Sequence, residues 1–129
     1  MKTKILISLV CLFALLSGSC KRNKAATAEE NINKDIAGLT FPQKINPTTT
    51  LTACYYRDKT LTFRNETSAD TLAQINVDSL RKVTLHNLRT GLFPRQLILN
   101  VIDAGASIQY IYAHDKDSVM FSYTTEELK

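Results

Sequence analysis

Apolar positions follow two regimes along this chain. From Ile5 to Leu16 they run together, broken only by Ser8. From Leu51 onward they alternate or recur at steps of three and four, the spacings of strands and helices. Residues 21–30, KRNKAATAEE, are small and polar without apolar periodicity, which predicts a flexible tether.

The second regime predicts a hairpin, two helices and a second hairpin. Ile32, Ile36 and Leu39 first recur at helical spacing, over a short stretch that Gly38 ends. Phe41-Pro42 and Asn46-Pro47 then impose an extended lead-in. Leu51, Ala53 and Tyr55 share one face of a strand; Leu61 and Phe63 share one face of the next; Arg57-Asp58-Lys59 is the turn between them. After a polar connection over residues 65–74, Asn76 can cap a helix whose stripe is Val77, Leu80, Thr84 and Leu88, widened by Val83 and Leu85 and stopped at Gly91. Phe93-Pro94 opens the next helix, with Phe93 placed to staple onto Leu97 or Ile98, and the stripe Leu97, Ile98, Val101 and Ile102 runs to Gly105. Residues 106–113 and 118–124 alternate about the turn His114-Asp115-Lys116-Asp117, and the tail 126–129 is polar and expected to fray. The expected fold class is α+β, a four-stranded antiparallel sheet from two hairpins with two helices packed on one face, order ββααββ. The expected domains are a signal peptide over 1–19, Cys20 with its tether over 20–30, and one small domain over 31–129.

The first regime is an export address. Lys2 and Lys4 precede the apolar run, which is too short for a membrane-spanning helix of about 20 residues, and Ser17-Gly18-Ser19 supplies small residues at a cleavage site. A general signal peptidase would cut after Ser19. Leu15-Leu16-Ser17-Gly18-Ser19-Cys20 also resembles the lipobox of bacterial lipoproteins, with Ser17 where the leucine usually stands and Leu16 one step earlier. That resemblance implies cleavage before Cys20 and diacylglycerol, with a further acyl chain, on the new terminus. Two chains suffice for stable anchoring. Lys21 stands where an aspartate would retain such a protein on the inner membrane, so the resemblance implies the outer membrane of a Gram-negative envelope, with the periplasmic or surface side left open.

Composition changes this picture little. Without residues 1–19 the chain keeps 110 residues, and past Lys24 its 11 basic residues meet 12 acidic ones. The basic character sits in the export segment and in Lys21, Arg22 and Lys24, which can touch anionic head groups. A nucleic-acid partner is not expected, because the domain carries no basic stripe. Cys11 leaves with the leader, so once Cys20 is acylated Cys54 has no partner for a disulfide and reads as a small strand hydrophobe.

Candidate chemistry is sparse. The sequence holds no Gly-x-Ser-x-Gly, no His-Glu-x-x-His, no glycine-rich phosphate loop and no Cys-x-x-Cys. No catalytic residue, metal or cofactor is expected. His114-Asp115-x-Asp117-Ser118 is the one imidazole and carboxylate cluster, most simply a solvated turn; a small envelope hydrolase using His114 or His86 is the enzymatic alternative. Among the strand tyrosines, Tyr56 points away from Tyr55 and is the candidate contact for an envelope protein or glycan partner. Asp70-Thr71-Leu72 and Asp117-Ser118-Val119 resemble the O-glycosylation acceptors of some Gram-negative lineages, at Thr71 and Ser118; Asp78-Ser79-Leu80 matches within a helix, and Asn65-Glu66-Thr67 is an N-glycosylation sequon.

Over residues 39–124 the chain resembles small α+β envelope proteins of unknown function, on Leu39-x-Phe41-Pro42 and Gly105-x-Ser107-Ile108-x-Tyr110-x-Tyr112. The resemblance carries no shared activity. The expected role is a lipid-anchored, non-enzymatic binding or structural protein, or an immunity or chaperone-like lipoprotein that holds one partner.

Overall fold

β-Branched and aromatic residues at alternate positions build the centre of the molecule, a five-stranded sheet. In this computed structural model, which describes residues 24–91 and 94–129, the strands are β1 (Gln43–Asn46), β2 (Thr49–Arg57), β3 (Thr60–Thr67), β4 (Ser107–His114) and β5 (Asp117–Tyr123). They pair in chain order, β1 to β5. Helix α1 is described over residues 24–37. Helices α2 (Ala69–Gln74), α3 (Val77–Thr90) and α4 (Arg95–Asp103) connect β3 to β4, and α5 (Thr125–Leu128) ends the chain. Among the described residues no helix is long and apolar enough to cross a membrane.

The four-stranded antiparallel ββααββ sheet expected from the sequence does not form. There is a fifth strand, β1, and β3 pairs parallel with β4 in the register Leu61↔Ile108, Phe63↔Tyr110 and Asn65↔Tyr112. The physical reason is the connection. A helical crossover returns the chain to the same end of the sheet, so the next strand runs in the same direction as the last. β1 is missed because it is four residues long, largely exposed and set between two prolines. The two hairpins form as expected, with Asp58 and Lys59 both at positive φ (53° and 58°), the backbone that suits a two-residue turn.

One face of the sheet is covered. Cys54, Leu61, Phe63, Ile108, Tyr110, Phe121 and Tyr123 meet Ala28, Ile32, Leu88, Leu97, Ile98, Val101 and Leu128 in one buried cluster. Phe63, Tyr110 and Phe121 stack in sequence at 5.1 and 5.5 Å between ring centroids. Two corrections to the sequence reading concern the chain ends. Residues 24–30, assigned there to the tether, are helical, and Ala28 (2 % exposed) lies in the core; small alanines at helical spacing carry too little hydropathy to stand out. The tail, expected to fray, forms α5, closed by a capping box between Thr124 and Glu127 that leaves Leu128 1 % exposed.

The leader 1–19, Cys20 and the Phe93 staple lie outside the described residues. Asn76 caps α3 as expected, accepting from the Ser79 N–H at 3.1 Å, and Gly91 ends it at φ 85°.

Candidate functional site

Helix α3 buries one side and carries a small apolar patch at its border with the otherwise polar exposed side. Thr84 and Leu88 face the core. Asn76, Ser79, Leu80 and Val83 recur at steps of three, one and three on another side, and with Ile75 they line an open groove of about 320 Å³. Val83 is 57 % exposed, although it sits in mid-helix. An apolar residue this open contributes nothing to the core, and with Leu80 and Ile75 it makes a surface suited to an apolar segment of another molecule.

The helix-free face of the sheet is different in kind. Tyr55, Arg57, Thr60, Thr62, Ser107, Gln109 and Ser122 line a polar depression of about 370 Å³. The Arg57 guanidinium lies 5.7 Å from the centre of the Tyr55 ring. Thr62 donates to Gln109 Oε1 at 3.3 Å.

A third cluster joins α1 to the sheet. Tyr56 donates to Glu29 Oε2 at 2.6 Å, and Lys59 Nζ donates to Glu29 Oε1 at 3.3 Å and to the Ala104 carbonyl at 3.2 Å. The Tyr56 hydroxyl, followed by Lys59, holds the Glu29 carboxyl below its ordinary range against the opposing effect of desolvation. Burial, then the hydrogen bond and charge of Glu29, push the Tyr56 phenol well up. This is a structural tie.

No protein-family model matches the chain, and no curated protein matches it. Solved structures do share its fold. One is a protein of Pseudomonas aeruginosa thought to be secreted, 16% identical, with a TM-score of 0.62 over 84% of this chain and 96% of that one. Another is EpsS, a pilotin from the type 2 secretion system of Vibrio vulnificus, 11% identical, TM-score 0.58, over 87% of this chain and 97% of the pilotin. A third is AspS, a type II secretion system pilotin from Vibrio cholerae, 12% identical, TM-score 0.56, over 86% and 97%. At these identities the likeness is one of fold.

The structure places the sequence-predicted residues in scattered positions. Tyr56 lies on the helix-covered side, its hydroxyl taken by Glu29, and Tyr55 (38 % exposed) is on the open face. The cause is a bulge: Leu51 pairs with Asn65 and Ala53 with Arg64, so Thr52 is an extra residue and every later side chain changes face. Simple alternation from Leu51 therefore assigns the two tyrosines to the wrong sides. Thr71 lies in the first turn of α2, its hydroxyl 2.8 Å from Ser68 Oγ, the N-cap oxygen of that helix. Ser118 is exposed at the start of β5. Asn65 is 1 % exposed in the central sheet, so the folded domain withholds that sequon.

Among the described residues no hydrogen bond joins either imidazole to a serine or cysteine side chain. His86 is exposed on α3. His114 Nδ1 lies 2.9 Å from the Thr67 carbonyl, which can only accept, so that nitrogen carries the proton. Its Nε2 faces Asp115 at 3.5 Å. His114, Asp117 and Ser118 do line a cleft of about 270 Å³ with Leu72 and Val119, but the hydrogen bond of the imidazole goes to the Thr67 carbonyl and not to the serine. Among the described residues no group of three or more His, Cys, Asp or Glu side chains is placed to hold a metal ion. The surface that sequence reasoning missed is the α3 groove. Its signal was present in Val83, taken there as a broadening of the buried face.

Proposed function

We propose that this chain is an exported, outer-membrane lipoprotein, anchored through Cys20, that holds or escorts one envelope protein and catalyses no reaction. The observation that carries the reading is the fold, shared along nearly the whole chain with two type II secretion pilotins. The order Lys2, Lys4, apolar run, Ser17-Gly18-Ser19, Cys20 supports the anchor. By analogy with those pilotins, the partner is a component of a secretion machine. The groove of Ile75, Leu80 and Val83 is the surface we assign to it, because it is apolar, open and beside a rigid helix.

The test is affinity capture from detergent-solubilised envelopes with the wild-type chain, Val83→Glu, and a variant with both His86 and His114 changed to Ala. The expected result is one stoichiometric partner, kept by the histidine variant and lost by Val83→Glu with the fold intact by circular dichroism. A partner equally retained by Val83→Glu moves the interface elsewhere. An enzymatic activity lost in the histidine variant replaces this reading with the hydrolase alternative.

A further inference from the structure

The anchor and the fold are joined by very little chain. Four Cα–Cα steps of about 3.8 Å separate Cys20 from Lys24, so at most about 15 Å lies between the lipidated residue and the start of the described α1. From there the helix is fixed to the body. Ala28 and Ile32 are in the core, Glu29 takes Tyr56 and Lys59, and Lys24 Nζ lies 3.9 Å from Asp103 at the end of α4.

The contacts of Glu29 with Lys59 and of Lys24 with Asp103 lie at one end of the sheet. β3 and β4 both start there, where the Ser107 N–H donates to the Lys59 carbonyl at 2.9 Å. The opposite end holds Thr67, His114 and the Asp115–Lys116 turn. Eight residues of β3 separate the two ends, roughly 23 Å at about 3.3 Å per residue. A lipid on Cys20 therefore cannot leave the fold from the far end. In the sequence Lys21, Arg22 and Lys24 lie within four residues of Cys20, close enough to the anchor for anionic head groups to meet their charge.

We propose that the end of the domain formed by Lys24, the Asp58–Lys59 turn and Asp103 is a bilayer-apposed surface, seated on phospholipid head groups, so that the domain stands end-on with the His114–Asp117 turn pointing away. This inference rests on the lipidation of Cys20. It replaces a body swinging on a loose tether with one of fixed orientation, in which the far end is the part presented to other molecules.

The test uses the full chain, produced with its own lipid and reconstituted into phosphatidylethanolamine–phosphatidylglycerol vesicles that contain a head-group quencher. A fluorophore is attached at Thr27→Cys, Asp103→Cys or Lys116→Cys, and the chain without an added cysteine is the blank. Quenching several-fold stronger at 27 and 103 than at 116 is expected. Equal quenching at all three, or stronger quenching at 116, overturns the orientation. Mass spectrometry of the same samples separates the two claims. An acylated Cys20 with uniform quenching sinks the orientation alone, and a bare Cys20 sinks the anchor and the orientation with it.

Discussion

The hydroxyl of Tyr56 donates to Glu29 Oε2 at 2.6 Å, and this bond ties α1 to β2 across 27 residues of sequence. A hydrogen bond to a charged acceptor contributes about 1.5–3 kcal/mol, and less where water reaches it. Tyr56→Phe should therefore lower stability by about 1–2 kcal/mol in urea unfolding, with no change in the slope. The pH dependence has a definite sign. Glu29 has a lowered carboxyl pKa in the folded state, so its contribution is present above the unfolded value of about 4.3 and is lost as pH falls through the folded one. Tyr56 is raised, so its contribution is present below about pH 10 and is lost as pH climbs through its folded value. Glu29→Gln should flatten the acid limb relative to wild type. An acid limb unchanged by that substitution would show that the tie is not formed in solution.

Tyr110 and Tyr123 make opposite predictions from adjacent strands. The Tyr110 hydroxyl is buried with no hydrogen-bond partner among the described residues, and the Tyr123 hydroxyl donates to the Arg81 carbonyl at 2.6 Å. A buried hydroxyl without a partner carries its desolvation cost uncompensated. Tyr110→Phe keeps the stack with Phe63 and Phe121 and should be neutral or stabilising by up to about 1 kcal/mol. Tyr123→Phe should cost about 1 kcal/mol. Thermal melts of the two variants check the order; a larger loss in Tyr110→Phe would contradict it.

What the sequence made legible follows from what carries a local signal. The Asp58–Lys59 turn, the Asn76 cap and the Gly91 stop are set by residues within a few positions of one another, and each was readable. The parallel pairing of β3 with β4 was not, because the choice between parallel and antiparallel is made by a connection of three helices and not by either strand. The faces of Tyr55 and Tyr56 were inverted by one extra residue, Thr52, whose hydroxyl donates to the Arg64 carbonyl at 3.2 Å in the bulge. Nothing about a threonine in a threonine-rich strand announces that. The docking of α1 was hidden because Ala28 is small and Glu29, a charged residue, does its work through a tyrosine far along the chain.

Cys54 should be silent to thiol reagents in the folded protein. It is buried in β2, and desolvation pushes its thiol up to about 11. The thiolate is the reactive form, so at pH 8 a disulfide reagent should react with Cys54 only as the protein unfolds. Reaction measured across a urea series should track the unfolding curve followed by circular dichroism. Rapid labelling in the absence of urea would place the thiol at the surface and undo the assignment of β2 to the core.

The last five residues should matter more than their polarity suggests. Leu128 is 1 % exposed and joins the cluster that holds Leu88, Leu97 and Tyr123. Arg81 on α3 donates both to the Ser122 carbonyl and to Glu127, its guanidinium sits 4.8 Å from the centre of the Tyr123 ring, and Arg89 Nε donates to the Glu127 carbonyl at 2.9 Å. The tail thus closes the helical layer onto the edge strand. Leu128→Ala leaves a cavity and should cost about 2–4 kcal/mol. Deleting residues 125–129 should cost more, since it removes the capping box and both arginine contacts as well. Arg81→Lys should recover only part of the wild-type stability, because a lysine cannot bridge two acceptors from one planar group. Denaturant midpoints of the three variants give the ranking. A deletion variant as stable as wild type would mean that the tail is a bystander and that the α3–β5 contact holds the edge without it.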